Sequence, residues 1–325
     1  MKLPAELAQA IARELASIDS RELAAAARRL SERYARGEFA AALSDPADRD
    51  AYLAVRFPAT YAASSKALGY VRDRMPDARF ASLIDLGAGA GAATWAAAGA
   101  FAPETITCLE RKSAFAAIGQ RLAAASPGPA LRGARWLTGD IREIDDLTAH
   151  DVVVLSYVLG EIPEGQIERA VRAAWQTTGT LLVLIEPGTP DSFRRLHAVR
   201  ALLLAGGAHL VAPCPHAQAC PMLATADWCH FAARLERTAA HRRLKSGALG
   251  YEDEKFSYLV AARQPVALPD SRILRHPLIH PGHIRLTLCR PERPEHTTVT
   301  KSQKPLWRYA RQLAWGDAWE PAGSP

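Results

Sequence analysis

The chain has 325 residues, of which 49% are hydrophobic and 23% are charged. This length gives room for about two domains with a full core, and the composition is that of a soluble globular protein. No window approaches the ~18 uninterrupted apolar residues of a membrane span, which excludes contact with a membrane through such a helix. Glu6, Glu14, Asp19 and Glu22 argue against a secretory signal or a mitochondrial presequence, so we expect a cytoplasmic protein.

The charge balance is basic, with a net charge of +6 and a pI near 9.2. Arginine supplies 33 of the 40 cationic side chains. Because its planar fork suits phosphate oxygens, this balance favours an RNA or DNA partner. A base-composition bias of the source genome explains the arginine equally well, since alanine is also abundant.

Residues 1–76 are predicted to form an N-terminal helical region. The segments 6–16 and 21–35 place Leu, Ile and Ala at helical spacing, with Arg and Glu between them. A further helix should reach about Arg74, with a bend at Pro58, where proline interrupts the helical pattern.

A glycine-rich turn follows the first predicted strand. The apolar run 82–86 contains Asp85 and leads into 87–91 (Gly-Ala-Gly-Ala-Gly), after which an alanine-rich helical pattern begins. Strand, turn and helix in this order open a nucleotide-binding α/β unit, and glycine lets a bulky ligand lie against the turn. The spacing D-x-G-x-G-x-G differs from the dinucleotide and phosphate-loop patterns. It resembles motif I of the class I methyltransferases that bind S-adenosylmethionine.

Strands and helices alternate through residues 77–207, which predicts a Rossmann-like α/β core with a parallel sheet covered on both faces. We place strands at 82–86, 105–110, 134–138, 151–156 and 180–186. Ligands bind at the carboxyl ends of the strands in such sheets. The turns after these strands are therefore the predicted ligand site.

Acidic side chains follow three of these strands. Glu110, about 20 residues after the turn, can accept hydrogen bonds from both ribose hydroxyls; the alternative is a solvated Glu that caps the helix beginning near Lys112. Asp140 stands where such methyltransferases hold the adenine amino group. Glu161 should line the pocket, although an acid favoured by the dipole of the next helix is an equal alternative.

The predicted residues for binding S-adenosylmethionine are Asp85, Gly87, Ala88, Gly89, Gly91, Glu110, Arg111, Asp140, Ile141, Ser156 and Tyr157. No catalytic residue can be named. The chain lacks the Asp/Asn-Pro-Pro-aromatic pattern that enzymes methylating exocyclic amines of bases carry after the fourth strand. It also lacks a cysteine there, which methylation of pyrimidine C5 needs as a nucleophile.

Cysteines give a second signal, because four of the five fall after residue 210: Cys214, Cys220, Cys229 and Cys289. The first three lie in a proline-punctuated segment, and we assign 208–255 as a cysteine-rich insertion. In a cytoplasmic protein such a group indicates a metal site rather than disulfides. Four thiolates can hold zinc or an iron-sulfur cluster.

The wide, irregular spacing of these cysteines favours a [4Fe-4S] cluster, with zinc and the absence of any metal as alternatives. His216 and His230 are either zinc ligands or polar neighbours of the site. Cys108, within the second strand, is predicted to be a small core residue.

Residues 256–292 should supply the final strands of the core, with 256–262 and 284–289 completing the far edge of the sheet. Residues 293–325 form a basic, aromatic C-terminal extension. Cations meet phosphate and exposed rings stack on unpaired bases, so we expect RNA to dock here; the alternative is that Trp307 and Trp315 pack the tail against the domain. The residues expected to contact RNA lie in this extension and in the stretch just before it: Arg272, Arg275, Arg285, Arg290, Arg293, Lys301, Lys304, Trp307, Arg308, Tyr309, Arg311, Trp315 and Trp319.

Four further motifs lie behind the glycine turn, at 186–190, 211–216, 227–231 and 250–258. Together with the turn they resemble the Rsm22 family, methyltransferase-like proteins of the small ribosomal subunit in mitochondria with bacterial relatives, over about 51–319. The resemblance implies S-adenosylmethionine binding and a role in small-subunit assembly or translation through ribosomal RNA. Mitochondrial members hold a [4Fe-4S] cluster with four cysteines, which implies Cys214, Cys220, Cys229 and Cys289 as ligands.

Two functions fit the sequence. One is an S-adenosylmethionine-dependent methyltransferase acting on small-subunit ribosomal RNA; the other is a non-catalytic, RNA-binding assembly factor with the same fold. Asp85, the glycine turn and Glu110 favour donor binding, whereas the missing pattern after the fourth strand favours loss of chemistry. We expect a monomer.

Overall fold

Helices fill the chain before the first strand. The computed structural model describes residues 1–35, 45–143, 147–236 and 250–321. Its first helices are α1 (Ala5–Glu14), α2 (Ser20–Ala35), α3 (Pro46–Ala51) and α4 (Phe57–Arg74). A π-helical turn, Tyr52–Arg56, joins α3 to α4, and Pro58 lies in the first turn of α4, where proline is tolerated. The predicted interruption at Pro58 is therefore the start of a helix.

Five parallel strands form the centre of the main sheet: β1 (Ser82–Leu86), β2 (Thr105–Glu110), β3 (Arg135–Thr138), β4 (His150–Ser156) and β5 (Thr178–Pro187). The connecting and following helices are α5 (Ala92–Phe101), α6 (Ser113–Ala124), α7 (Pro129–Arg132), α8 (Glu164–Thr177) and α9 (Pro190–Ala205). All five strands lie within two residues of their predicted bounds.

Three later strands complete one edge of this sheet: β6 (His209–Ala212), β7 (Phe231–Glu236) and β8 (Tyr251–Ala262). The order is β3-β2-β1-β4-β5-β8-β6, and β7 also pairs with β8. Strand β8 is antiparallel to its neighbours β5, β6 and β7. The strand order reverses between β1 and β4, which opens a crevice at their carboxyl ends. This is a Rossmann-like α/β fold.

Side chains of the sheet alternate between two cores, as the period of two in a strand requires. Leu83 and Val183 face the layer that contains α1, α2, α4, α5 and α6, whereas Ile84 and Leu184 face α8 and α9. The N-terminal helices share the first of these cores, since Leu7 of α1 and Phe57 of α4 are fully buried in it. The helical region therefore packs directly on the sheet.

The chain after β8 forms a smaller unit with strands β9 (Ser271–Arg272), β10 (Leu278–Ile279), β11 (His283–Leu288) and β12 (Glu295–Thr300), helix α10 (Lys304–Ala310) and strand β13 (Ala318–Trp319). Strands β10, β11 and β12 make an antiparallel sheet, and β13 pairs with β9.

The strand predicted at 284–289 is therefore present, but it does not complete the edge of the main sheet. Its apolar residues Ile284, Leu286 and Leu288 alternate with exposed or half-buried ones, which is typical of an antiparallel sheet with one solvated face. In β8, by contrast, every residue from 256 to 262 is buried. Within the described ranges, no helix combines the length and apolar character needed to cross a membrane.

Candidate functional site

The turn between β1 and α5 depends on glycine. Gly87, Gly89 and Gly91 have φ angles of 80°, 56° and 89°, in the left-handed region that other residues rarely adopt. A Cβ at Gly87 would lie 2.6 Å from Cγ2 of Val158, in the loop after β4. The backbone nitrogens of Gly87 and Ala88 both donate to the carbonyl of Leu109, at 2.8 and 3.0 Å, which ties the turn to β2.

A cavity opens beside this turn, at the carboxyl ends of the central strands, and we call it the glycine-turn cavity. Its empty volume is about 980 Å³, including the open mouth. Ten of the eleven predicted donor-binding residues line it: Asp85, Gly87, Ala88, Gly89, Glu110, Arg111, Asp140, Ile141, Ser156 and Tyr157. Gly91 instead caps α5 and faces the ring of Trp136. Donor binding by these residues stays a prediction.

Asp85 is buried at the floor of the cavity. Its Oδ2 accepts a hydrogen bond of 2.6 Å from the Thr94 hydroxyl, whereas its Oδ1 has no hydrogen-bond partner among the described residues. Burial raises the pKa of this carboxyl to about 7, and the negative charge of Glu110 adds to the rise. An unpartnered buried carboxylate oxygen that lines a cavity suits a cationic ligand group such as an ammonium.

Glu110 fixes the wall opposite Asp85. One carboxylate oxygen accepts from the Gly89 nitrogen and the other from the Lys112 nitrogen, both at 2.8 Å. The side chain is buried, so it is not the solvated cap of the alternative prediction, although it does hold the start of α6. Each carboxylate oxygen has a second lone pair, which leaves acceptors for ribose hydroxyls.

Asp140 and Arg111 line the outer part of the cavity, and both have ionic partners. Asp140 accepts from the Arg142 guanidinium at 2.8 and 2.5 Å, which lowers the pKa of its carboxyl to about 2. Arg111 pairs with Glu161 at 3.2 Å, across the gap between β2 and the loop after β4. Burial raises the pKa of Glu161, against the opposing effect of Lys112 and Arg111. Glu161 thus forms part of the cavity wall, as predicted.

Tyr157 is held in an unusual backbone conformation, with φ of 60°. Its hydroxyl donates to Glu254 at 3.0 Å, and Glu254 in turn accepts two hydrogen bonds from the Arg56 guanidinium, at 2.9 and 3.3 Å. Arg56, Tyr52 and Thr60 also line the cavity. Sequence reasoning missed these three residues and Glu254, because their partners lie far along the chain.

Glu186 at the end of β5 supports the same loop. Its Oε1 accepts from the Leu159 nitrogen at 2.9 Å, and Arg195 lies 3.5 Å from its Oε2. Burial raises the pKa of this carboxyl to about 7. The motif 186–190 contributed only to the family resemblance, so the positioning role of Glu186 was not foreseen.

The four predicted cysteine ligands line a second cavity, which we call the cysteine cavity: Cys214, Cys220, Cys229 and Cys289. Its empty volume is about 550 Å³, including the mouth. Strands β6 and β7 pair with the same side of β8, so the segment 213–230 between them bulges from one edge of the sheet. Cys289 reaches the cavity from the end of β11.

No metal site is confirmed by this arrangement. Among the residues described, no three or more His, Cys, Asp or Glu side chains are grouped tightly enough to hold a metal ion. His216 and His230 are not among the residues that line the cavity. The Nε2 of His216 lies 3.8 Å from the Cys289 sulfur, and the His230 ring stacks on Trp228 at 4.8 Å. Both histidines are polar neighbours in this structure.

Two buried arginines, Arg200 and Arg272, also line the cysteine cavity. Arg200 donates to the carbonyls of His216 and Gln218, at 2.9 and 2.8 Å. Arg272 donates to the carbonyls of Pro213 and Gly316, at 2.8 and 3.0 Å. The Nε of Arg200 and one Nη of Arg272 are buried and, within the described chain, have no hydrogen-bond partner.

Among the described residues that line the cysteine cavity, none is Asp or Glu. Burial raises the pKa of the Cys289 thiol to about 12 and that of Cys229 well above its ordinary value. Buried cations without counter-charge are strongly unfavourable. The donor set of this cavity therefore fits a metal group that is net negative once four thiolates hold it.

Comparison with known proteins extends these observations. A family model described as "Mitochondrial small ribosomal subunit Rsm22" matches residues 46–320. The chain belongs to the Rsm22 family. The family match covers the glycine turn, the 213–230 segment and the smaller unit together.

Individual relatives of this Rsm22 chain are more distant. Human "Ribosome assembly protein METTL17, mitochondrial" is 29% identical over 290 residues, which cover 82% of this chain and 61% of the relative. "Rsm22-cox11 tandem protein 2, mitochondrial" of Schizosaccharomyces pombe is 29% identical over 216 residues, 52% of this chain and 29% of the relative. This chain thus spans less than two thirds of the length of either. The solved magnesium protoporphyrin IX methyltransferase of Synechocystis is 12% identical with a TM-score of 0.41, over 72% of this chain and 90% of that chain.

The predicted cytoplasmic location of this Rsm22 chain is contradicted by these relatives, both of which are named as mitochondrial proteins. The prediction rested on acidic residues near the N-terminus. In the structure Glu14 accepts two hydrogen bonds from Arg121 of α6, at 2.8 and 2.7 Å, and Leu7 and Ile11 of the same helix are buried in the main core. These residues belong to a folded helix, so they carry no information about a targeting signal.

The predicted RNA-contacting residues of the Rsm22 chain do not share one environment. Arg272 and Trp319 are buried, so neither is an exposed contact. Trp315 is half-buried against the rings of His230 and His276, with ring centroids 5.0 Å apart in each pair. It therefore packs the tail against the rest of the protein, which was the alternative to RNA contact. Cys108 is fully buried in the main core, where the sequence predicted it.

Proposed function

We propose that this chain binds S-adenosylmethionine in the glycine-turn cavity, holds a [4Fe-4S] cluster in the cysteine cavity, and acts on the RNA of the small ribosomal subunit during assembly. The unpartnered buried oxygen of Asp85 is the observation that carries donor binding. In this proposal Asp85 meets the donor's ammonium, Glu110 its ribose hydroxyls and Asp140 its adenine amino group. Subunit assembly is proposed on the strength of family membership and the name of the human relative.

The cluster is proposed because the cysteine cavity combines four thiols with two buried, incompletely partnered arginines. Zinc requires four ligands at about 2.0 to 2.3 Å from one point, and the described residues offer no set so compact. A [4Fe-4S] core is larger than a single metal ion, and together with four thiolates it would carry net negative charge beside Arg200 and Arg272. Held by these cysteines, it would link the segment 213–230 to the end of β11.

Methyl transfer and non-catalytic assembly remain the two candidate modes of action. For transfer, Asp85 and Glu110 orient the donor, and the network of Arg56, Glu254 and Tyr157 fixes the cavity wall where an acceptor would approach. Correct alignment can accelerate such a reaction without a general base. The non-catalytic mode is favoured by one observation: the Tyr157 hydroxyl and the carboxylates of Glu161 and Asp140 are all engaged with neighbours.

The test is to incubate the purified protein with methyl-labelled donor and either small-subunit RNA or precursor particles. Label in the RNA supports the methyltransferase, with Asp85→Asn as the matched control that should lose it. Intact donor binding without transfer supports the non-catalytic mode. Absence of donor binding in the folded wild-type protein would overturn the proposed ligand of the glycine-turn cavity.

A further inference from the structure

The positive charge of the protein is concentrated in the smaller unit. Residues 271–319 contain nine Lys and Arg against two Glu and one Asp, a net charge of +6, which equals the net charge of the whole chain. The remainder of the chain is therefore close to neutral. The smaller unit therefore has the more positive electrostatic potential. A polyanion such as RNA is attracted to it rather than to the main sheet.

One face of the β10-β11-β12 sheet is open. Ile284, Leu286 and Leu288 of β11 pack into the core that α10 covers, so the side chains between them point the other way. The strand pairing places β10 and β12 residues beside them on that open side. We call this surface the hairpin face, and its residues are Leu278, His283, Arg285, Thr287, His296 and Thr298.

The chemistry of the hairpin face suits an unpaired nucleotide strand. It carries a cation, two imidazole rings and hydroxyl groups, but no carboxylate. At the tip, the rings of His280 and His283 stack at 4.5 Å with an interplanar angle of 19°. Leu278 and Ile279 beside them are 54% and 61% exposed. Flat rings and apolar side chains stack on bases, whereas a duplex offers mainly phosphates and sugars.

The cations near this face are available for phosphate. Arg285 and Lys301 are exposed, and within the described residues neither has an ion-pair partner. The backbone nitrogen of Lys301 donates to the Gly282 carbonyl at 3.0 Å, which puts Lys301 at the hairpin tip and leaves its side chain out of this bond. Arg275 and Arg290, by contrast, are paired with Asp227 and Glu295. A phosphate can therefore bind Arg285 and Lys301 without displacing a carboxylate.

We infer that the hairpin face is a docking surface for single-stranded RNA. This inference rests on the proposed role of the chain on small-subunit RNA and gives that partner a place and a form. Phosphates lie against Arg285 and Lys301, and an unpaired base stacks on the His280–His283 pair with Leu278 beside it. An acidic protein would satisfy the cations but would not use the ring stack.

The experiment measures binding of a fluorescent single-stranded RNA of about 12 nucleotides, and of the same sequence as a duplex, by anisotropy at several salt concentrations. Three double variants change the net charge equally. R285E/K301E alters the hairpin face and the adjacent tip, K304E/R308E alters exposed residues of α10 behind the sheet, and R28E/R29E alters exposed residues of α2. All six side chains are exposed, so the fold is retained in each variant.

We expect R285E/K301E to weaken single-strand binding at least about tenfold and to reduce the salt slope by about 1 to 1.5. K304E/R308E should weaken single-strand binding about twofold, because it reduces only the long-range electrostatic attraction. R28E/R29E should leave single-strand binding unchanged. Leu278→Ser should weaken the single strand more than the duplex. Equal losses in the first two variants, or equal affinity for duplex and single strand, would overturn the hairpin face as the site.

The donor affinity of each variant is measured in the same preparations, because it separates this inference from the proposed function. Unchanged donor binding with lost RNA binding supports both. Unchanged RNA binding in R285E/K301E contradicts the hairpin face while leaving the donor site intact. Lack of donor binding in the wild type contradicts the proposed function without affecting the RNA measurement.

Discussion

In the glycine-turn cavity the carboxylates of Glu110, Asp140 and Glu161 already have partners, whereas the described lining of the cysteine cavity has two buried arginines and no carboxylate. The first cavity is lined by side chains that their neighbours already hold in place. The second is electrostatically incomplete. Changes in the first cavity should therefore act mainly on ligand affinity. Loss of a metal group from the second should act mainly on stability, because metal binding is coupled to folding.

Loss of one cysteine should have the largest effect. Cys289→Ala removes the link from β11 to the segment 213–230, and we expect it to lower the free energy of unfolding by about 3 to 5 kcal/mol, since Arg200 and Arg272 stay buried without counter-charge. Anaerobic denaturant unfolding and visible absorbance measure this. Cys108→Ala is the matched control, because Cys108 lies in the main core, and it should keep the absorbance.

Asp85→Asn should come next, acting on affinity. The substitution keeps the shape of the side chain but removes the charge that faces the donor's ammonium, so binding should weaken about 30-fold, or ~2 kcal/mol. Calorimetric titration with S-adenosylmethionine measures this. The matched control is Asp151→Asn. Asp151 lies at the opposite end of the sheet, where it accepts hydrogen bonds from the Ala81 and Ser82 nitrogens, so its substitution should leave the affinity for the donor unchanged. Equal weakening in both variants would contradict a role of the Asp85 charge.

Stability should also depend on pH through the glycine-turn cavity. Burial raises the folded-state pKa of Asp85 to about 7 from an ordinary 3.8, so between these values the folded chain binds more protons than the unfolded chain. The free energy of unfolding should therefore fall as pH rises, by at most about 1.4 kcal/mol per pH unit for this group. Asp85→Asn should reduce the slope, while Glu186, whose pKa is also raised to about 7, continues to contribute in the same direction. An unchanged slope in Asp85→Asn would show that its carboxyl titrates normally.

Arg200→Gln should have the smallest effect, confined to the cysteine cavity. Glutamine keeps a donor for the His216 and Gln218 carbonyls but removes a buried positive charge, so the reduction potential of the proposed cluster should fall by about 60 mV, or ~1.4 kcal/mol. Anaerobic redox titration measures the potential. The control is Arg263→Gln. The Arg263 guanidinium lies over the Trp175 ring, away from the cysteine cavity, so this substitution should leave the reduction potential unchanged. A raised potential in Arg200→Gln would contradict the electrostatic account.

The sequence predicted what is local. The strands at 82–86 and 105–110 have the predicted bounds, because an apolar run followed by a turn specifies a buried parallel strand without reference to distant residues. The meeting of Cys214 and Cys289 was also foreseen, from the chemistry that thiols share and from family resemblance. Neither the sheet that contains β11 nor the pairing of Arg56 with Glu254 was foreseen.

These failures have a common physical origin. Alternation in β11 specifies a strand with one apolar face, but any apolar surface can cover that face, and α10 does so here. Arg56 and Glu254 are 198 residues apart, and nothing in either local pattern names the other as its partner. The left-handed conformation of Tyr157 likewise depends on neighbours from β8 and the π-helical turn rather than on its own sequence context.

The most direct test of the contrast between the two cavities is the iron and acid-labile sulfide content of anaerobically purified protein, measured with its unfolding free energy before and after removal of the metal. The account predicts iron and sulfide in the ratio of a [4Fe-4S] cluster, and a large loss of stability on removal while the folded remainder still binds S-adenosylmethionine. Stoichiometric zinc without iron, or metal-free protein of unchanged stability, would contradict it.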